Sequence, residues 1–177
     1  MRVKGITFLR RSDGQEVVVQ AVGSPLDPLT IKAGTGVNSV RIVFTQPFAQ
    51  DAHLPTTAGK QDPDYQSHNV LVLVPQPKQG QLPYLPGALA IEAADTVRFD
   101  VFPVVGTVAA NLPWPPNAYR LFLRASDDTV NKRVGVADKA SDLALDGEPA
   151  VPGASTGNAI SGDGVAGGDF NFPFTVA

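Results

Sequence analysis

Two aspartates near the end of the chain have the spacing that comes nearest to a metal-binding pattern. Asp163 and Asp169 lie at either end of a glycine-rich segment that reads Asp-Gly-Val-Ala-Gly-Gly-Asp. Calcium takes six to eight oxygen ligands from carboxylates and backbone carbonyls, and glycine-rich loops expose carbonyls. Asp and Gly are also the ordinary residues of tight turns. We therefore expect a turn here and no bound cofactor, and a calcium loop held by Asp163 and Asp169 is the alternative.

A second candidate site is aromatic. Trp114 stands between Pro113 and Pro115, and Tyr84 belongs to another proline-interrupted segment. Because the apolar face of a sugar ring stacks on exposed aromatic rings, Trp114 and Tyr84 are the candidate ligand-binding residues of a carbohydrate-binding module. In the other interpretation, Trp114 fills one end of the fold and the rigid prolines hold it there. The exposure of Trp114 decides between the two, since a ring that binds sugar faces solvent.

Composition and spacing argue against the usual catalytic centres. The 177 residues include no cysteine, which excludes disulfides, thiolate metal sites, iron–sulfur clusters and a cysteine nucleophile. The two histidines, His53 and His68, fall in one polar stretch and lack the His-x-x-x-His spacing of a metal pair. No Gly-x-Ser-x-Gly elbow, Walker loop or dinucleotide fingerprint occurs where a strand would meet a helix. We therefore expect the protein not to be an enzyme.

The charge balance limits the partners that the chain can bind. The 14 Lys and Arg residues are outnumbered by 17 Asp and Glu residues, so the formal net charge is -3, and no basic block occurs. We therefore expect neither nucleic acid nor an anionic membrane as a partner. No run of 18 apolar residues predicts a membrane span, and no apolar stretch of a signal peptide follows the first residues.

Turn residues and alternating apolar residues predict an all-β protein. The chain has 17 Gly and 16 Pro, a proportion that favours many short strands between turns. Asp13-Gly14 is a favoured hairpin centre because both residues tolerate positive φ. The predicted strands span residues 3–9, 16–22, 37–45, 69–74, 89–92, 96–102, 119–124 and 170–176. Such a series of short strands, without a convincing helix, predicts an antiparallel β-sandwich.

The last predicted strand and the longest connection carry two further expectations. Residues 170–176 place three phenylalanines on one face. Pro173 has no N–H to donate to a ladder, so we expect this strand to lie at an edge or at a bulge. The polar stretch over residues 46–68 is unusually long for a compact domain, and we expect it to be a loop that folds over one end and includes a short strand.

Five segments of the chain resemble, in order, segments of bacterial Ig-like domains of the Big type. Residues 37–48 read VNSVRIVFTQPF and are similar to the first strand, which ends in Phe-Ser-x-Pro. Residues 96–102 and 117–121 are similar to the family's TVTFTP and G-x-Y-x-L strands. Residues 134–147 resemble its I-x-D-x-x-G-N-x-L-D-G segment. Residues 167–176 resemble its closing GG-D-F-x-F-x-F-x-V strand.

The resemblance covers residues 36–177 and implies an Ig-like β-sandwich with long inserted loops, since the connections over residues 46–68 and 75–95 are longer than such domains usually carry. Residues 1–35 have no counterpart in the pattern and would add an N-terminal hairpin, so we expect residues 1–177 to form a single domain. Domains of this family typically serve as spacers and interaction units of bacterial surface or secreted proteins. The resemblance thus implies a non-catalytic structural module with an extracellular or cell-surface location.

Edge strands are the expected route to partners. An open sandwich leaves rows of unpaired N–H and C=O groups that another chain can extend. We expect the C-terminal strand or the opening hairpin to pair with a neighbouring chain, either another protein or a second copy. Together with the absence of a signal-peptide pattern, this predicts a subunit of a larger, filament-like assembly.

Overall fold

The computed structural model describes residues 1–12, 15–22, 29–48, 69–101, 113–125, 136, 139, 145–147, 161 and 168–177. These residues form ten strands and no helix, so the prediction of an all-β fold is confirmed. They accordingly include no helical segment that could span a membrane. The strands are β1 (Val3–Ser12), β2 (Gln15–Val19), β3 (Ala21–Val22), β4 (Leu29–Ile31), β5 (Ser39–Phe44), β6 (Val70–Leu73), β7 (Gly87–Ala93), β8 (Thr96–Val101), β9 (Asn117–Leu123) and β10 (Phe170–Val176).

The ten strands form two five-stranded sheets that pack face to face. We call the sheet with the order β2-β1-β5-β8-β7 the first sheet and the sheet with the order β3-β4-β10-β9-β6 the second sheet. Neighbouring strands are antiparallel except β4 and β10, which are parallel. Phe8 of β1 packs on Phe174 of β10 with 4.9 Å between the ring centroids, so the inner faces of the sheets meet. The predicted β-sandwich is therefore present.

The core lies between the sheets because apolar residues alternate along the central strands. Successive side chains of a strand point to opposite faces, so every second residue reaches the inner face. Along β8 the buried residues alternate with partly exposed ones over the whole strand. The buried residues of the central strands include Val40, Ile42 and Phe44 in β5, Val97, Phe99 and Val101 in β8, and Tyr119, Leu121 and Leu123 in β9. The strands predicted over residues 37–45, 96–102 and 119–124 are thus confirmed, with small shifts at their ends.

The predicted opening hairpin is present, but its second half divides between the two sheets. β1 and β2 are antiparallel with Ser12 opposite Gln15. The Asp-Gly pair between these two residues lies outside the described residues. The strand predicted over residues 16–22 is interrupted at the exposed Gln20. β2 therefore stays in the first sheet, whereas β3 pairs with β4 in the second.

The first residues of the chain are built into the sandwich. β1 pairs with β5 from Val3 to Leu9, so the opening strand lies inside the first sheet. The Val3 N–H donates to Ser161 Oγ at 2.9 Å, and this hydroxyl donates in turn to the Asp146 carbonyl at 2.9 Å. The Arg2 guanidinium pairs with the Asp146 carboxylate at 3.0 Å. Asp146 and Ser161, from the last third of the sequence, therefore hold the start of β1 in place.

The prediction that the last strand lies at an edge is wrong. β10 lies inside the second sheet, antiparallel to β9 on one side and parallel to β4 on the other. Pro173 is opposite Arg120 of β9, and the pairing with β4 begins one residue later, at Phe174 opposite Leu29. A proline is tolerated inside the sheet at this point because the ladder with β4 has not yet begun. The expected common face of the three phenylalanines is confirmed, since Phe170, Phe172 and Phe174 alternate along β10.

The connection after β6 is only partly a loop. β7 occupies residues 87–93, which confirms the strand predicted over residues 89–92 and shortens the loop expected over residues 75–95. Before β7 the chain returns along β6, where the Val74 N–H donates to the Pro83 carbonyl and the Leu85 N–H donates to the Val72 carbonyl, both at 2.8 Å. Most of the other predicted loop, residues 46–68, lies outside the described residues.

Candidate functional site

Trp114 lies in the core and not on the surface. Its side chain is 2% exposed. Its ring centroid is 6.2 Å from that of Phe8 in the first sheet and 5.2 Å from that of Phe174 in the second. The Trp114 backbone N–H donates to the Val37 carbonyl at 2.8 Å. Trp114 thus fills the space between the sheets, which agrees with the interpretation that the flanking prolines hold it at one end of the fold.

Tyr84 does not supply an exposed ring either. It is 2% exposed and is paired with Leu73 at the end of β6. The neighbours of Trp114, by contrast, are aromatic residues of the inner faces. A sugar platform needs solvent-facing rings, and neither Trp114 nor Tyr84 offers one. The burial criterion therefore favours the structural interpretation of both residues.

Tyr119 connects the turn before β9 to the core. The ring is 1% exposed and lies 5.7 Å, centroid to centroid, from Trp114. Its hydroxyl donates to the Pro115 carbonyl at 2.6 Å. Desolvation by burial raises the pKa of Tyr119 to about 12. The phenol therefore stays protonated, and it can act as a hydrogen-bond donor throughout the neutral pH range.

Asp169, the described half of the calcium candidate, is engaged with the backbone. Its Oδ1 accepts a hydrogen bond from the Ala125 N–H at 2.8 Å. Just before it, Gly168 has a φ of 80°, and its carbonyl accepts from the Gly147 N–H at 3.1 Å. Among the described residues no three metal-ligating side chains come together. Asp163 lies outside the described residues, so the calcium loop stays a prediction.

The outer face of the first sheet carries a network of ion pairs. Each strand of the sheet contributes to this network. The members are Arg11 of β1, Glu16 of β2, Arg41 of β5, Glu92 of β7, and Arg98 and Asp100 of β8. The network begins at the β2 edge, where Arg41 Nη1 lies 2.8 Å from Glu16 Oε1. Arg41 and Arg98, which are opposite each other in the β5–β8 ladder, both pair with Glu92.

Asp100 anchors the other side of this network. Arg98 Nη2 lies 2.9 Å and Arg11 Nη1 3.2 Å from its Oδ2. The Ser39 hydroxyl donates to its Oδ1 at 2.7 Å. Sequence reasoning missed the network because its members are scattered from β1 to β8. The polar positions of β5 and β8 alternate with the buried ones and could have placed Arg41 and Arg98 on one face.

Mutual pairing keeps these groups charged. The hydrogen bond from Arg41 lowers the pKa of Glu92. Burial raises the pKa of Asp100, but the hydrogen bonds from Arg98 and Ser39 outweigh it, so the net shift is downward. The hydrogen bonds to Glu92 and to Asp100 raise the pKa of Arg41 and of Arg98, respectively. With three cations and three anions, the network attracts ligands of neither sign strongly.

The edge strand β2 next to this network is the most exposed apolar segment that the structure describes. Val17 is 44% and Val18 52% exposed. The other exposed large apolar residue in the described chain is Ile91, at 44%, on the opposite edge strand β7. The opening hairpin therefore has an exposed edge strand, which the expected pairing with a neighbouring chain requires. The C-terminal strand does not offer such an edge, because β10 lies inside the second sheet.

Three features of the described residues bear on function: a buried aromatic cluster, a network of ion pairs with no net charge, and an exposed edge strand. The aromatic cluster belongs to the core, which leaves the first sheet as the candidate interaction surface. Comparison with known proteins finds no matching family model, no matching curated protein and no matching solved structure.

Proposed function

We propose that the chain is a non-catalytic, Ig-like building block that contacts other protein chains in a bacterial surface, secreted or filament-like assembly. The observation that carries the proposal is the order of the strands. If β5 to β10 take the letters B to G, the first sheet contains B-E-D and the second contains G-F-C. These are the orders of the two sheets of an Ig domain. β1 lies beside β5, in the place of strand A.

The position of Tyr119 also supports an Ig-like interpretation. Ig domains have a tyrosine near the start of strand F whose hydroxyl bonds to the backbone a few residues upstream. Tyr119 lies near the start of β9, the strand that takes the letter F, and donates to the Pro115 carbonyl. The chain departs from antibody domains in two ways. It has no cysteine for a disulfide between the sheets, and Trp114 precedes β9 instead of lying on β6.

The state of two carboxylates in the charge network, Glu92 and Asp100, supports a role without catalysis. A carboxyl group that acts as a general acid near neutral pH has a raised pKa. Glu92 and Asp100 have lowered pKa values and are paired with arginines. Such groups stay ionised and fixed, which suits a surface that has to keep its shape.

The proposal is tested in the cells that make the protein. An antibody raised against the purified chain is used to follow it through a native size separation and on intact cells. We expect the chain in particles far heavier than its own 18.5 kDa, and at the cell surface or in the medium. A chain that migrates alone at its own mass and stays inside the cells would contradict the proposal.

A further inference from the structure

Two of the four sheet edges in the described part of the chain offer little to a partner. In the second sheet, β3 has only two residues. The β6 edge is covered by the returning chain, through the hydrogen bonds from Val74 to Pro83 and from Leu85 to Val72. A short edge and a covered edge are both common ways of blocking further pairing.

The β7 edge of the first sheet carries two protective features. Its pairing with β8 shifts register between Ile91 and Ala93, and such bulges twist an edge away from a partner strand. Glu92, at the shift, pairs with Arg41 and Arg98 of the same chain. The β7 edge is therefore a poor template for another strand.

The β2 edge also carries a paired glutamate, Glu16, but it has no register shift that would twist it away from a partner. Its five residues, Gln-Glu-Val-Val-Val, include no proline and no lysine, and its pairing with β1 is continuous. Four of the five residues are exposed, including Val17 and Val18. In the described part of the chain no strand pairs with its outer side. An exposed, regular, apolar edge is a template for β-addition.

The register with β1 fixes which groups face the open side. Two residues separate Ser12 and Gln15, as in a tight hairpin whose closing pair is hydrogen-bonded. Hydrogen-bonded and non-hydrogen-bonded pairs alternate along an antiparallel ladder. Val17 and Val19 therefore direct their N–H and C=O groups to β1. Glu16 and Val18 direct theirs outward.

We propose that β2 is the pairing edge for a second copy of this chain, related by a two-fold axis through Val17. This rests on the proposed function and names the partner that it involves. In this register Glu16 of one copy lies opposite Val18 of the other, and the two residues exchange both of their backbone hydrogen bonds. Val18 of the first copy and Glu16 of the second form the equivalent pair. The two Val17 residues form the close, non-hydrogen-bonded pair on the axis. The result is a continuous sheet of ten strands.

Self-complementarity is what favours a second copy over another protein. The two-fold register places Glu16 opposite an apolar Val18 and not opposite its own copy, so no like charges meet. The Glu16 carboxylate is already held by Arg41 at 2.8 Å and lies 3.7 Å from Arg11. An isologous contact of this kind closes on itself and adds no further open edge.

Cysteine crosslinking tests the register directly, because the chain has no cysteine of its own. In Val17→Cys the two sulfurs would lie within disulfide range, across a close pair with Cα atoms about 4.5 Å apart. In the matched Val18→Cys variant the two cysteines would be diagonal neighbours, about 7–8 Å apart and out of range. We expect Val17→Cys to form a covalent dimer on mild oxidation and Val18→Cys to form at least tenfold less. Equal yields, or none from either, would overturn the proposal.

A second pair of variants tests the hydrogen bonds. Val18→Pro removes the outward N–H of residue 18 and leaves every hydrogen bond between β2 and β1 intact. Val18→Thr keeps the outward N–H and is the matched control. By sedimentation, the wild type and Val18→Thr should approach twice 18.5 kDa as concentration rises, while Val18→Pro, with an unchanged circular dichroism spectrum, should stay monomeric. A dimer that survives Val18→Pro would show that the two copies meet at another surface. A wild-type chain that stays monomeric and binds a foreign strand at β2 would also contradict the proposed pairing of two copies. If the chain occurs in large native particles but fails these tests, the pairing is refuted and the proposed function stands.

Discussion

The Tyr119 hydroxyl is a hydrogen-bond donor in an apolar environment. Its partner is the Pro115 carbonyl at 2.6 Å. We expect Tyr119→Phe to lower the free energy of unfolding by about 1 kcal/mol at pH 7, because that carbonyl loses its donor while the ring still packs. Urea denaturation followed by circular dichroism measures the difference.

The same residue predicts a loss of stability in alkali. Burial raises the pKa of Tyr119 from its ordinary value of 10.0 to about 12, so the folded state holds the proton more tightly than the unfolded state. The stability that the protonated hydroxyl contributes is fully present below the ordinary pKa. It is lost as the pH rises through the raised pKa of the folded state. The stability difference between wild type and Tyr119→Phe should therefore shrink between about pH 10 and 12. A difference that stays constant over this range would contradict the burial of the hydroxyl.

Arg98 supplies the matching prediction in acid. It pairs with Asp100 and Glu92, and both carboxyls have lowered pKa values. We expect Arg98→Gln to lower the free energy of unfolding by about 1–2 kcal/mol at pH 7. Lowered pKa values mean that this contribution is present above the ordinary carboxyl values and is lost as the pH falls through the folded ones. The exposed Lys78→Gln variant is the control and should show no such loss.

If the free energies of unfolding of Arg98→Gln and wild type differed by the same amount at pH 7 and at about pH 3, the ion pairs would not be the source of the difference. Added salt gives a second check. It should weaken the partly exposed pairs of the network and leave the Tyr119 effect unchanged.

Gly147 and Gly5 test how closely the backbone segments approach. A Cβ on Gly147 would lie 2.4 Å from the Gly168 carbonyl oxygen and 2.5 Å from the Phe170 nitrogen, both backbone atoms that cannot rotate away. We expect Gly147→Ala to cost about 1–3 kcal/mol of stability. Gly5→Ala meets nothing within 4 Å and should stay within about 1 kcal/mol of wild type. Similar thermal midpoints for the two variants would contradict the close approach.

The turn that carries Trp114 closes the space between the first and second sheets. Trp114 is the single tryptophan of the chain, so its fluorescence reports on this element alone. Because the ring is 2% exposed, we expect blue-shifted emission and slow quenching by acrylamide. We also expect soluble polysaccharides to leave the emission unchanged. Red-shifted, readily quenched emission would restore the carbohydrate-binding alternative.

The strands differ in how far the sequence predicts them. β8 alternates over its whole length and β5 alternates from Val40 to Phe44, so their positions and inner faces follow from the pattern. β4 has only three residues and no alternation to detect. The place of β10 inside the second sheet depends on its parallel pairing with β4, which no local pattern encodes. Pro173 therefore indicated an edge although the strand is internal.

Side-chain interactions between distant strands were predictable to a smaller extent. The proline-tryptophan-proline sequence indicates a turn, but only the tertiary packing of Phe8 and Phe174 shows that Trp114 is buried. The charge network joins Glu16 to residues as distant as Glu92 and Asp100. Only the register of five strands brings them together. The sequence does indicate the hairpin that places β2 at the edge, because Asp-Gly is a strong turn signal.

The whole molecule is best understood as two sheets with different roles. The second sheet has a very short edge in β3 and a covered edge in β6, and it shares the aromatic core with the first sheet. In the residues that the structure describes, the first sheet has a neutral, mutually paired outer face and a regular, exposed edge in β2. This asymmetry suits a building block whose shape is fixed and whose contacts are made by extending a sheet.

Hydrogen exchange of the β2 amides, followed residue by residue by NMR as the protein concentration rises, tests this account most directly. The Val17 and Val19 amides, which face β1, should be protected at every concentration. The Glu16 and Val18 amides should exchange freely in dilute solution and become protected as the second copy pairs. Amides of Glu16 and Val18 that exchange freely at all concentrations, while Val17 and Val19 stay protected, would show that the edge is not a contact between copies.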